Sequence, residues 1–180
     1  MTVIVIRGHT MATDSGMWEG DSLMTDERRK IFRCKWGVMV ALNHPGYMNA
    51  AIKAMDEAET IPERLELGHD SDIIMLTNEG RVRLYKEDYM LEVSPPFYAV
   101  GPASPVAYGA LHAGLDAVSA CEIAIRVGPW AAGKVQSLSV PGDAPIGDPM
   151  AEAILAGELG PAETYDETAD TPLWKRSRGL

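Results

Sequence analysis

Apolar residues occupy both faces of the first run, Thr2-Val3-Ile4-Val5-Ile6, with Thr2, Ile4 and Ile6 alternating with Val3 and Val5. A strand that is apolar on both sides is buried on both sides, as in the middle of a layered sandwich. Residues 2–7 and 10–14 predict a hairpin turning near Gly8-His9. A loop with Gly16, Gly20 and acidic residues follows. Lys30 to Trp36 and Gly37 to Leu42 predict a second strand pair. Asn43-His44-Pro45 predicts a helix start, with proline near the first helical position. Met48, Ala51, Ile52, Met55 and Ala58 then recur at helical spacing.

Residues 59–71 are polar and charged and read as a loop or a frayed helix end. Asp72 to Thr77 and Arg81 to Tyr85 predict a hairpin around Asn78-Glu79-Gly80. Tyr89 to Val93 and Phe97 to Val100 are short strands separated by Pro95-Pro96. Ser104-Pro105 predicts a helix N-cap followed by a first-turn proline. The helix after it is rich in Ala107, Gly109, Ala110, Ala113 and Gly114, small residues that let it sit close to a sheet or another helix. Residues 116–127 predict a further helix with Val118, Cys121 and Ile125 on one face, and Lys134 to Val140 a closing strand. Strands, helix, strands, two helices and strand, in that order, predict helices packed on antiparallel sheets, an α+β layered fold.

The composition changes after Val140. Residues 141–180 are rich in proline, glycine and acidic side chains, and only Ala151 to Leu159 reads as a short helix. We expect a domain over residues 1–140 and an extended acidic tail over 141–180. The tail reads either as solvated chain or as an assembly arm docking through Leu173 and Trp174.

Bulk numbers narrow the function. The chain of 180 residues carries a net charge of -10, which argues against nucleic acid or an anionic membrane as its main partner. No apolar stretch approaches the ~18 residues of a membrane-spanning helix, and no signal peptide is expected at the N-terminus. The default expectation is a cytoplasmic location. Cys34 and Cys121 fit no metal or redox spacing. His9, His44, His69 and His112 show no mutual metal spacing either.

Chemistry enters with Thr2. Removal of Met1 would give Thr2 a hydroxyl and a free α-amine on one residue, a nucleophile with its own general base. An α-amine titrates near ~8, close to the working pH. Lys30 is the second clue. On a strand it shares a face with Phe32, Cys34 and Trp36, while Ile31, Arg33 and Lys35 share the other. A lysine on a core-facing row needs an anionic partner or shifts its pKa, and Asp14, at the end of the second strand, is the natural partner. The alternative is a Lys30 that reaches out to solvent at the sheet edge.

These residues, in this order, resemble the proteasome β-subunit and HslV group of N-terminal nucleophile (Ntn) hydrolases, over roughly residues 2–140. The resemblance is carried by the Thr2 strand, Ala12-Thr13-Asp14, Arg29-Lys30-Ile31, Tyr98-Ala99-Val100-Gly101 before a small-residue helix, and Ser119 to Arg126 before the last strand. Short proteasome-like proteins of this type also occur in bacterial and phage genomes. It implies the four-layer αββα sandwich, with Thr2 as nucleophile and base, Lys30 as activating cation and Asp14 as its partner. It also implies a peptide or protein substrate, no cofactor or metal, and a homo-oligomeric ring.

The chain departs from the family pattern at three places. Where the family has a glycine amide for the oxyanion, this chain has Asn43-His44-Pro45, leaving the His44 amide as the candidate donor. Proline has no N–H to give. Pro102 follows Gly101 where a serine is usual, with Ser104 as the candidate substitute, and Gly128 stands where an aspartate is usual. The expectation is therefore a threonine peptidase. Its rival is an inactive relative that keeps the fold as an assembly component, for instance in a phage particle.

Overall fold

The computed structural model describes residues 1–43 and 45–142. The expected 151–159 helix, the Leu173–Trp174 arm, nearly all of the 141–180 tail and the His44 amide lie outside the described residues.

Two antiparallel sheets form the body. The first has the order β10-β1-β2-β11, built from β1 (Ile4–Arg7), β2 (Thr10–Asp14), β10 (Phe97–Val100) and β11 (Val135–Ser139). The second runs β5-β6-β7-β8-β9, from β5 (Ile31–Cys34), β6 (Gly37–Ala41), β7 (Ile73–Thr77), β8 (Val82–Tyr85) and β9 (Met90–Val93). A separate two-stranded ribbon pairs β3 (Met17–Glu19) with β4 (Ser22–Thr25). The helices are α1 (Met48–Glu57), entered through a 3-10 turn at Pro45–Tyr47, then α2 (Ser104–His112) and α3 (Ala117–Val127). Among the described residues no helix is long and apolar enough to cross a membrane.

Three apolar clusters follow from the alternation in the strands. Ile4, Ile6 and Met11 meet Val38, Val40, Ile74 and Leu76, so this cluster draws on both sheets. Val3, Val5 and Ala12, on the opposite face of the first sheet, pack with Ala107, Leu111, Ala120 and Ala124 of α2 and α3. Met39, Ile73 and Met75 of the second sheet pack with Met48, Ala51 and Met55 of α1. Val3, Ile4 and Val5 are fully buried, as the doubly apolar first strand predicts.

Several local readings need correction. The expected loop after Asp14 contains the β3–β4 ribbon. All four residues of β4 are exposed, so no buried alternation marked it. Its signal was the two-residue turn Gly20-Asp21, with Gly20 at φ +55°. Ser104 is the first residue of α2 rather than its N-cap; Ala103 holds the cap position without a side-chain bond. The buried face of α3 is Ala117, Ala120, Cys121 and Ala124, while Val118 and Ile125 are half-buried at its flank. Small side chains win that face because they let the helix approach the sheet. Asp116, not singled out beforehand, caps α3 by accepting from the Ser119 amide at 2.8 Å.

β9 and β10 are neighbours in sequence but edge strands of different sheets, with Pro95-Pro96 between them. Proline ends the ladder there because it has no N–H to donate. The crossover brings Gly101 beside the start of β1. Gly101 has φ +106°, and a Cβ on it would fall onto the Thr2 carbonyl oxygen. Gly101→Ala should therefore lower the unfolding free energy by about 1–3 kcal/mol, read from urea denaturation. An unchanged midpoint would show that the backbone at Thr2 can shift freely.

Candidate active site

Asp14 is the last residue of β2 and has no solvent exposure. The β1–β2 ladder ends at the Ile4–Thr13 pair. Beyond it the Val3 amide donates not to a backbone carbonyl but to Asp14 Oδ1, at 3.0 Å. Thr13 ties down the same residue, its hydroxyl donating to the Val3 carbonyl at 2.8 Å. Asp14 Oδ2 accepts from the Gly16 amide at 3.2 Å and the Ala132 amide at 3.4 Å. A buried carboxylate is tolerated when donors surround it in this way.

The charged donor is Lys30. Its Nζ lies 2.9 Å from both Asp14 oxygens, and only 7% of its side chain is exposed. The same Nζ donates to the Met1 carbonyl oxygen at 3.1 Å. That oxygen belongs to the peptide bond that carries the Thr2 nitrogen. The structure thus brings Thr2, Lys30 and Asp14 together, and the solvent-reaching alternative for Lys30 does not hold. Ser104 is not joined to them: its amide donates to the Gly101 carbonyl at 2.9 Å, opening α2.

Lys30 is placed by a residue the sequence did not single out. The Gln136 side chain on β11 accepts from the Lys30 amide at 2.8 Å and donates to the Arg28 carbonyl at 2.7 Å. Ser15 adds a second brace, accepting the Lys134 amide at 2.8 Å and donating to the Asp26 carbonyl. Only the pairing of β11 with β2 puts these residues within reach, so no local pattern announced them.

Burial sets the electrostatics. It pulls the Lys30 ammonium below its ordinary pKa, against the opposing attraction of Asp14. The α-amine of Met1 is also lowered, first by burial and then by the Lys30 charge. Cys121, fully buried on α3, is pushed up to about 12, first by burial and then by Asp14. It stays a neutral thiol at ordinary pH and is no rival nucleophile. Among the described residues no group of three or more His, Cys, Asp or Glu could hold a metal ion.

A cavity of about 280 Å³ opens over the cluster, walled by Thr2 and Lys30, by Arg28 and Arg29, and by Phe32 and Met48. Asn43 and Asn49 reach it from the segment around the expected oxyanion position. Trp18 of the ribbon also lines it and packs edge-to-face on Trp130, with ring centroids 5.3 Å apart.

No protein-family model matches the sequence, and no curated protein matches it. Solved structures do match in three dimensions. Thiobacillus denitrificans BPH superposes with a TM-score of 0.56 at 18% identity, over 79% of this chain and all of that one. The same protein in complex with epoxomicin gives 0.55 at 17% identity, over 78% and 99%. Eukaryotic HslV from Trypanosoma brucei gives 0.53 at 14% identity, over 79% and 100%. The chain therefore has a proteasome-β/HslV-like, α+β Ntn-type fold.

The buried pair supplies the stability test. Lys30→Met or Asp14→Leu alone leaves an unpaired buried charge and should cost about 3–5 kcal/mol each. The double variant should lose clearly less than the sum, read from urea unfolding curves. Additive losses would mean the two side chains do not interact.

Proposed function

We propose that the chain is a threonine-type Ntn hydrolase that cleaves peptide bonds, working once Thr2 carries a free α-amine. The observation that carries this reading is the Lys30 ammonium, shared between buried Asp14 and the carbonyl before Thr2, in the wall of a cavity. In the reaction the Thr2 hydroxyl adds to a substrate carbonyl carbon while the α-amine takes the hydroxyl proton. The tetrahedral oxyanion collapses, the C–N bond breaks, and the leaving amine takes that proton. Water then hydrolyses the Thr2 ester, returning the free hydroxyl and an acid. Lys30 raises the acidity of the hydroxyl and amine beside it, and Asp14 holds Lys30 in place.

Oxyanion support comes from different groups than in the family pattern. Pro45 has no N–H; the His44 amide stays the candidate donor, with Asn43 and Asn49, which line the same cavity, as side-chain candidates. The four-layer αββα arrangement, a homo-oligomeric ring, a domain ending near residue 140 and a cytoplasmic or virion setting belong to the same proposal.

The rival reading is an inactive, structural relative. Pro45 and Pro102 favour it, as does Gly128, which brings no side chain and whose amide closes α3 onto the Ala124 carbonyl at 2.8 Å.

Epoxomicin, held by a structural neighbour, is the discriminating probe. Peptide mapping should find a covalent adduct on Thr2, absent from Thr2→Ala. No adduct on protein that begins at Thr2 would hand the case to the structural relative.

The pH profile gives an independent check. The base is the unprotonated amine, so kcat/KM must rise as pH climbs through its pKa. Burial and then the Lys30 charge lower the residue 1 amine from its ordinary 8.0, and an amine on Thr2 is expected to meet the same two influences. The acid limb should have its midpoint below 8.0. A midpoint above that value would contradict the assignment of Lys30 as the neighbouring cation.

A further inference from the structure

The charge of the cavity wall is opposite to that of the chain. The whole chain carries -10, yet among the described residues the only ionisable side chains lining the cavity are Arg28, Arg29 and Lys30. Lys30 is matched by Asp14. Among the described residues neither Arg28 nor Arg29 forms a salt bridge, although each is held in position. The half-buried Arg28 guanidinium makes one hydrogen bond among the described residues, from Nη1 to the Met17 thioether, and its main-chain carbonyl is fixed by Gln136. A thioether is a weak acceptor and leaves most of the guanidinium donors unused. Exposed Arg29 lies over the Phe32 ring, 5.0 Å from its centroid, and gives Nε to the Ile31 carbonyl at 3.3 Å. The nearest acids in sequence do not neutralise them. Asp26 and Glu27 do not line the cavity, and Glu27 faces Lys134 at 3.6 Å.

We infer that Arg28 and Arg29 select a substrate carboxylate close to the scissile bond, making this site specific for acidic peptides. The inference rests on the hydrolase reading above and names its substrate class. A planar guanidinium grips a carboxylate through two parallel hydrogen bonds. The apolar floor of Phe32 and Met48 takes the methylenes that lead to it. The carboxylate is either an Asp or Glu side chain or a peptide's own C-terminus. In a chain this acidic, a local cationic wall also steers anionic substrate to the one place it can react.

The test uses three peptides, identical except for charge. One has Glu beside the scissile bond and an amidated end, one has Gln there with the amidated end, and one has Gln with a free C-terminal carboxylate. Binding is measured by calorimetry on Thr2→Ala protein and turnover on the unsubstituted chain. The Glu peptide should bind about tenfold more tightly than amidated Gln, the weight of one charge-assisted hydrogen bond at a partly solvated site. The preference should shrink in about 0.5 M salt, a readout that needs no substitution. Arg28→Gln and Arg29→Gln should each bring the Glu/Gln ratio toward one. If the third peptide matches the Glu peptide, a carboxylate is accepted from either a side chain or a chain end; if it matches amidated Gln, only the side-chain carboxylate is read.

Equal binding of the charged and neutral peptides, a salt-independent ratio, or no binding of any peptide would overturn the inference. Turnover without charge preference would overturn it while leaving the hydrolase reading intact. Preferential binding without turnover would support it and count against the hydrolase reading.

Discussion

A carboxylate with no access to water must be satisfied by the protein, and Asp14 is satisfied by four separate stretches of chain. Val3 comes from the start of the first strand, Gly16 from the turn after β2, Ala132 from the loop before β11, and Lys30 from the segment leading into β5. These stretches are far apart in sequence. The carboxylate gives them a common point of convergence, and that point lies directly beside Thr2. Protonating or deleting Asp14 would leave the lysine, the loop and the leading strand without a shared partner. A single buried charge thus fixes the geometry of the cavity above it.

The sheets and helices make that burial possible. α2 and α3 present mostly alanine to the first sheet, so the helices can lie close against it. Gly101 lets the backbone pass tight against the Thr2 carbonyl from the other side. Gln136 then clamps the Arg28–Lys30 segment to β11. The consequence for chemistry is a lysine oriented by hydrogen bonds to both Asp14 oxygens, in surroundings that weaken its grip on its proton. A flexible surface lysine would supply the same charge without the direction.

Much of the body was legible because its strands report burial by alternation. The doubly apolar Thr2–Ile6 run, the paired strands around residue 36, and the Met48–Met55 stripe all reappear as expected. The Lys30–Asp14 partnership was legible for a simpler reason: a cation on an apolar row requires an anion nearby. What failed were features without a burial signature. The β3–β4 ribbon is exposed along β4, and the Ala103 cap makes no side-chain bond. Of the inward face of α3 only Cys121 was read, because a search for bulky residues passes over alanine. Gln136 and Ala132 escaped because their roles depend on β11 pairing with β2, a long-range contact that no local pattern encodes.

The central claim is that Thr2 becomes the leading residue of the working chain, beside the Lys30–Asp14 pair. Intact mass and N-terminal sequencing of the purified protein test this directly. The account predicts a chain that starts at Thr2 with an unmodified amine. A chain in which Thr2 remains in peptide linkage to Met1 under all conditions would contradict it, because the proposed base would then not exist.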